Sequence, residues 1–253
     1  MIHWLVGSLA DHPDLARGEP PPDLLSPAEA ARLGGLRVGK RRRDWILGRW
    51  TAKHLVRSAL EAETHVRLPF PAFTVESGAG GPPSVVFETA RPADLSLSIS
   101  HAEGQAFCAL TLLPSAHVGA DIEWIASRHP GFAGEYFTPA ELARLRAAPA
   151  ALYDALVTVI WSAKEAVLKA LGLGLTVDTR HVRCLVDPPA DAHDPALYGY
   201  RWSGFTVELD PGLAAGRIPG LSTSGWWQIM SNYALTLVLI RPGSGRIAPG
   251  DAR

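Results

Sequence analysis

The sequence predicts an α+β fold made of two similar halves, each a small antiparallel sheet packed on a long helix and related by a pseudo-two-fold duplication. Three observations point there. The chain repeats itself: Trp50-Thr51-Ala52-Lys53-His54-Leu55-Val56-Arg57-Ser58-Ala59-Leu60 aligns with Trp161-Ser162-Ala163-Lys164-Glu165-Ala166-Val167-Leu168-Lys169-Ala170-Leu171. Strand patterns alternate and are joined by tight turns, which favours hairpins. Helices and hairpins are mixed without a regular βαβ alternation, which argues for antiparallel sheets.

Taken in order, each half opens with a strand, Val6-Gly7 standing opposite Val118-Gly119. Short helices follow at Ser26-Pro27-Ala28-Glu29 and Thr138-Pro139-Ala140-Glu141. Each has a hydroxyl N-cap, a proline at the first helical position and an acid in the first turn. The second long helix carries Trp161, Lys164, Leu168 and Leu171 at spacings of three and four and stops at Gly172. Leu95 to Ser100 alternates, turns at Glu103-Gly104 and returns through Ala106 to Leu110; Val118–Trp124 and Tyr233–Ile240 read as further strands, and Trp226-Trp227 as sheet packing. Segments 76–94 and 187–197, rich in Pro, Gly and Ala, read as loops. The expected organisation is an N-terminal half at 1–112, a C-terminal half at 113–242 carrying the chemistry, and a flexible tail at 243–253.

A hydrophobic content of 47% and a charged content of 19% suit a soluble domain with a sizeable core. The formal net charge of −1 supplies no field for nucleic acid or a membrane, so any anion site is local. The N-terminus has no basic region of a signal peptide, and no apolar run approaches the ~20 residues that span a bilayer; the expected location is the cytoplasm. Cys108 and Cys184 lie in apolar runs and read as buried thiols. The lysines are Lys40, Lys53, Lys164 and Lys169 in a chain that otherwise uses arginine. An ammonium suits a phosphate or a proton transfer.

Strand alternation puts Asp121 and Glu123 on one face, ~7 Å apart. An edge strand with its acids in water would look the same. Glu165 and Lys169 share a helix face at i, i+4, as an ordinary surface ion pair also would. The first half has His54 and Ser58 at these positions, and Leu9 in place of Asp121. Acids in one copy only are expected if a single metal site lies between the halves. Three carboxylates without His or Cys suit a hard cation such as Mg2+ bound together with phosphate. Lys40-Arg41-Arg42-Arg43, then Arg49, offers positive charge, and Ser100-His101 ends the alternating strand near the same place. No phosphate-binding Gly-rich motif, no G-x-S-x-G elbow and no zinc spacing is present.

Val118-Gly119-Ala120-Asp121-Ile122-Glu123, followed about forty residues later by Trp161-Ser162-Ala163-Lys164-Glu165-Ala166-Val167-Leu168-Lys169, resembles the G-x-D-x-E and W-[ST]-x-K-E-[AS]-x-x-K pair of phosphopantetheinyl transferases. Ser98-Ile99-Ser100-His101 and Tyr136-Phe137-Thr138-Pro139-Ala140-Glu141 resemble further family segments. Length and halves resemble the monomeric surfactin-synthetase-activator type. The resemblance implies transfer of 4'-phosphopantetheine from coenzyme A, the substrate, to a serine of an apo acyl, polyketide or peptidyl carrier protein, with release of 3',5'-ADP and with Mg2+, or Mn2+ in its place. It implies Asp121, Glu123 and Glu165 as metal ligands and Glu165, Lys169 and Asp121 as catalytic residues. Arg42, Arg43, Arg49, Ser100, His101, Lys164 and Lys169 would hold the cofactor. Relatives often carry Gly-Lys/Arg-Pro where this chain has Gly80-Gly81-Pro82-Pro83, and the Lys40–Arg43 run is expected to compensate. An inactive coenzyme A- or nucleotide-binding module of the same fold is the alternative.

Overall fold

The computed structural model describes residues 1–77, 81–88, 94–187, 202–214 and 221–243. Among them the elements run β1 (Ile2–Ser8), α1 (Pro13–Arg17), α2 (Pro27–Gly34), α3 (Gly39–Thr64), β2 (Phe73–Ser77), β3 (Pro83–Phe87), β4 (Ser96–Ala102), β5 (Gln105–Thr111), β6 (His117–Trp124), α4 (Phe132–Tyr136), α5 (Pro139–Ala147), α6 (Tyr153–Ala170), β7 (Val182–Leu185), β8 (Ser203–Leu209), α7 (Pro211–Ala214), β9 (Ser222–Met230) and β10 (Tyr233–Arg241). The mixed α+β class is as expected. One antiparallel sheet has the order β1-β5-β4, a second β6-β10-β9-β8-β7, and β2 pairs with β3. The long helix α3 lies on β1 and β5, and α6 lies on β6 and β10. Segment 76–94 is not wholly a loop: β3 falls within it and hydrogen-bonds β2, because Phe73, Val75 and Val85 bury beneath α3. Residues 188–197 and 244–253 lie outside the described residues.

The hairpin β4–β5 turns on Glu103 and Gly104 at φ 41° and 77°. Two consecutive positive values match the twist of the strands that follow, and glycine takes the second at no steric cost. β6 is an edge strand of its sheet and runs beside β4 in the same sense. No ladder of backbone hydrogen bonds joins them; instead the hydroxyl oxygens of Ser96 and Ser98 accept from the Val118 and Ala120 amides at 3.0 and 2.9 Å. The serines of the alternating Leu-Ser-Leu-Ser-Ile-Ser pattern therefore stitch one sheet to the other.

The same buried constellation occurs twice. The capping box of α2 pairs Ser26 with Glu29, and that of α5 pairs Thr138 with Glu141. Glu29 then meets Lys53 of α3 at 2.5 Å, and Glu141 meets Lys164 of α6 at 2.9 Å, with every side chain at most 2% exposed. Each glutamate also accepts from the strand that follows, at Val75 and Cys184, and each lysine donates to backbone carbonyls, at Phe73 or at Thr179 and Val182. Such charges are tolerable inside a protein only because every polar atom is matched. Trp227 joins the core of the second half, as its sheet-packing reading requires, and both cysteines are buried and free, burial pushing their thiols up. No described helix is long and apolar enough to cross a membrane.

Breaking one of these pairs strands a buried charge, which costs about 3–5 kcal/mol. Glu141→Ala should lower the urea-unfolding free energy by that amount, and the double change Glu141→Leu with Lys164→Met by much less. Equal losses in the two variants would show that the cost does not come from a stranded charge.

Candidate functional site

The site forms where β6, α6 and β4 meet. Gly119 lets β6 touch α6 directly: a Cβ there would stand 1.8 Å from the Ala166 carbonyl oxygen. This contact brings Asp121 and Glu123, two apart on β6, against Glu165 and Lys169, one helical turn apart on α6. Gly48 does the same for α3 and β4, since a Cβ would lie 2.3 Å from His101 Nε2.

Asp121 is 2% exposed, so the acids do not line a solvated edge. Its Oδ1 accepts from Ser100 Oγ at 2.7 Å and from Lys169 Nζ at 2.5 Å. Its Oδ2 is buried without a hydrogen-bond partner. Lys169 Nζ also donates to Ser100 Oγ at 2.9 Å and stands 4.0 Å from Glu165 Oε2. Glu123 has both oxygens engaged, Oε1 by the Trp161 indole at 3.2 Å and Oε2 by Arg128 at 3.0 Å. Burial first, then the Asp121 charge, raises the pKa of Glu123 against the opposing pull of Arg128. The same two causes push Glu165 up to about 7, with Lys169 opposing and Glu123 adding. Three acids thus share one field with one ammonium among them. Among the described residues, no group of three or more acidic, histidine or cysteine side chains is arranged to grip a metal as it stands.

Three adjoining cavities form a groove past this cluster. One, of about 300 Å³, is lined by Trp45, Arg49, Pro82, Pro83, His101 and Lys169 among others. A second, of about 590 Å³, shares Lys169 and Pro82–Pro83 and extends toward Ser96 and His117. The third, of about 620 Å³, shares His101 and reaches Lys40, Glu123 and Arg128. His101 keeps an open face to solvent, yet crowding by protein and then the cations Lys169 and Arg49 lower its pKa, opposed by a bond to the Asp44 backbone. At neutral pH it is therefore an uncharged hydrogen-bonding group.

Of the residues expected at the site, Asp121, Glu123, Glu165, Lys169, Ser100, His101 and Arg49 come together. Lys164 does not: it is fully buried, and Glu141, Thr179 and Val182 take its donors, so assigning it to the cofactor is corrected. Arg42 turns inward, its guanidinium donating to the Gly18 and Leu33 carbonyls at 2.9 and 2.8 Å. Arg43 lines none of the three cavities. The cations that line the cavity beside Pro82–Pro83 are Arg49 and Lys169; of the 40–43 run, Lys40 alone lines one of the three cavities, the one beyond His101. Sequence reasoning missed Trp45, whose ring lies 4.7 Å from the Arg49 guanidinium, and Arg128. The i, i+4 spacing of Trp45 and Arg49 on a helix is a usable signal for the first; the loop position of Arg128 offers none.

Residues 117–197, the stretch that carries the four charged residues of the cluster, match the profile of the 4'-phosphopantetheinyl transferase superfamily. No curated protein sequence matches the chain. Among solved structures, similarity extends to the Chronobacterium ammoniagenes ACPS–CoA complex at 20% identity, covering 50% of this chain and 97% of that one with a TM-score of 0.38. A holo-(acyl-carrier-protein) synthase from Bacillus anthracis in complex with CoA (3',5'-ADP) gives 22% identity over 43% of this chain and 91% of that one, TM-score 0.34. The holo-[acyl-carrier-protein] synthase of Neisseria meningitidis gives 21% over 49% and 97%, TM-score 0.37.

The raised Glu165 has a measurable consequence. Between about 4.5 and about 7 the unfolded chain gives up this proton while the folded chain keeps it, so stability falls as pH rises through that window. In chelator-treated buffer, Glu165→Gln should match the wild-type Tm near pH 5 and exceed it by a few degrees at pH 8. A variant no more stable than wild type at pH 8 would show that Glu165 carries no such strain.

Proposed function

We propose that this chain transfers 4'-phosphopantetheine from coenzyme A to a serine hydroxyl of an apo carrier protein and releases 3',5'-ADP. The observation that carries the reading is the convergence of Asp121, Glu123 and Glu165 with Lys169 beside a groove containing Arg49 and His101. The two halves, each with its own capped helix, long helix and buried Lys–Glu pair, are read as duplicated units of the monomeric type. One chain supplies both walls of the groove.

The residues fit a divalent cation such as Mg2+. All donors are carboxylate oxygens, as a hard cation prefers. Asp121 Oδ2 is buried and unmatched, and both glutamates have raised pKa values in a field short of positive charge. Asp121 and Glu165 would offer the oxygens, with Glu123 completing the acid field. When bound, the cation supplies charge to stabilise pyrophosphate oxygens.

The chain's own groups account for the rest. Arg49 and the neutral His101 line the groove where a pyrophosphate would lie, and Ser100 orients Lys169 and Asp121. The carrier serine oxygen attacks the β-phosphorus of coenzyme A, and the bond from that phosphorus to the bridging oxygen breaks. Glu165, one turn before Lys169 on α6 and facing the same cluster, is placed to accept the serine proton. Lys169 neutralises the oxygen left on the departing 3',5'-ADP. Catalysis comes from positioning and charge, with no covalent enzyme intermediate.

Intact mass spectrometry of an apo carrier protein incubated with this protein, coenzyme A and Mg2+ tests the reading. The carrier should gain one phosphopantetheine mass, and the gain should vanish with EDTA. It should fall at least 100-fold with Asp121→Ala or Glu165→Gln in folded protein. Coenzyme A binding without mass gain across several carrier types would identify an inactive binding module instead.

A further inference from the structure

The three acids of the cluster are not equivalent, and a residue outside the recognised motifs makes them differ. Arg128 sits in the loop between β6 and α4, whose start is pinned by reciprocal bonds between Ile125 and Asn232. Its guanidinium donates to Glu123 Oε2 at 3.0 Å and lies 5.4 Å from the Phe132 ring centroid. Phe132 packs edge-on against Trp161 at 5.3 Å, and Tyr136 packs on the same indole at 5.2 Å. The indole in turn donates to Glu123 Oε1 at 3.2 Å. Arg128, Phe132, Trp161 and Glu123 therefore close a ring in which both carboxylate oxygens of Glu123 are held by protein donors. Asp121 on the same strand face has a buried oxygen with no partner, and Glu165 has its ammonium neighbour only at 4.0 Å.

We infer that Arg128 is a positioning residue that competes with a divalent cation for Glu123, so that the cation is first held by Asp121 and Glu165 while Glu123 stays clamped. This rests on the cation-binding reading above and refines it. A guanidinium–carboxylate bond in a partly buried place is charge-assisted and directional, so Glu123 must give up a charged partner before it can face a metal. Its burial is shallow enough for exchange: the Arg128 and Glu123 side chains are 30% and 26% exposed. Clamping one acid also limits the self-repulsion of three carboxylates before the positive charge arrives.

Mn2+ alone is the probe, titrated into folded protein and followed by the electron paramagnetic resonance signal of the free ion. Wild type should bind Mn2+, and Asp121→Asn should weaken it at least tenfold. Glu123→Gln should stay within about twofold of wild type. Arg128→Ala should tighten binding three- to tenfold, Arg128→Lys should fall between, and adding Glu123→Gln to Arg128→Ala should erase the gain. Arg128→Gln serves if the alanine variant does not fold. Tightening that survives the double change would show that Arg128 acts by its charge alone and overturns the inference. Unchanged or weaker binding in the Arg128 variants, with wild type still binding, also overturns it but leaves the cation reading intact. No Mn2+ binding by wild type would remove both.

Discussion

Two serine hydroxyls hold the edge of β6. That edge presents amides with no neighbouring strand to receive them, and a buried donor left unmatched costs about 1–3 kcal/mol. Ser96 and Ser98 accept from Val118 and Ala120, which fixes β4 alongside β6 at a set register. The next serine in the alternation, Ser100, is brought beside Asp121 and donates to its Oδ1. Everything that follows at the cluster inherits this register: Lys169 reaches both Ser100 and Asp121, and His101, one residue on, is delivered to the groove. The join between the sheets and the assembly of the site are one event.

The site is electrically unfinished by the standards of a protein interior. Elsewhere the chain matches buried charges closely, as the Glu29–Lys53 and Glu141–Lys164 pairs show. At the cluster it places three acids against one ammonium and one peripheral guanidinium. The stretch of α3 whose sequence aligns with this part of α6 has no such demand. There His54 occupies the place of Glu165 and stacks on Trp50 at 4.0 Å, with Phe70 beyond, an ordinary aromatic packing that needs no counter-charge. An acid cluster left short of counter-charge is the arrangement that the proposed chemistry would use.

What was legible in the sequence follows from the range of the interactions involved. The capped starts of α2 and α5 were readable because Ser26–Glu29 and Thr138–Glu141 bonds close within one turn. The acids and Lys169 were readable because strand and helix periodicities assign faces. Lys164 was misread for an instructive reason. Its spacing with Trp161, Leu168 and Leu171 placed it on the apolar stripe, yet its chemistry suggested a ligand for phosphate. The stripe was the better guide, and its partner Glu141 lies on another helix that only tertiary packing brings near. Arg42 was lost the same way, to carbonyls of Gly18 and Leu33 distant in the chain. Arg128 had no periodic element to announce it at all.

The bare contact of Gly119 with the Ala166 carbonyl has a consequence for how this protein can change. With no side chain between strand and helix, there is no layer whose size could be adjusted to shift the acids relative to Glu165 and Lys169. A side chain added at Gly119 would have to push strand and helix apart, and the acids with them. On the proposed reading, substrate preference would be set at the rim of the groove, which Trp45, Pro82–Pro83 and His117 line. The interior is thus a fixed type-face, and the margin is where the text can be edited.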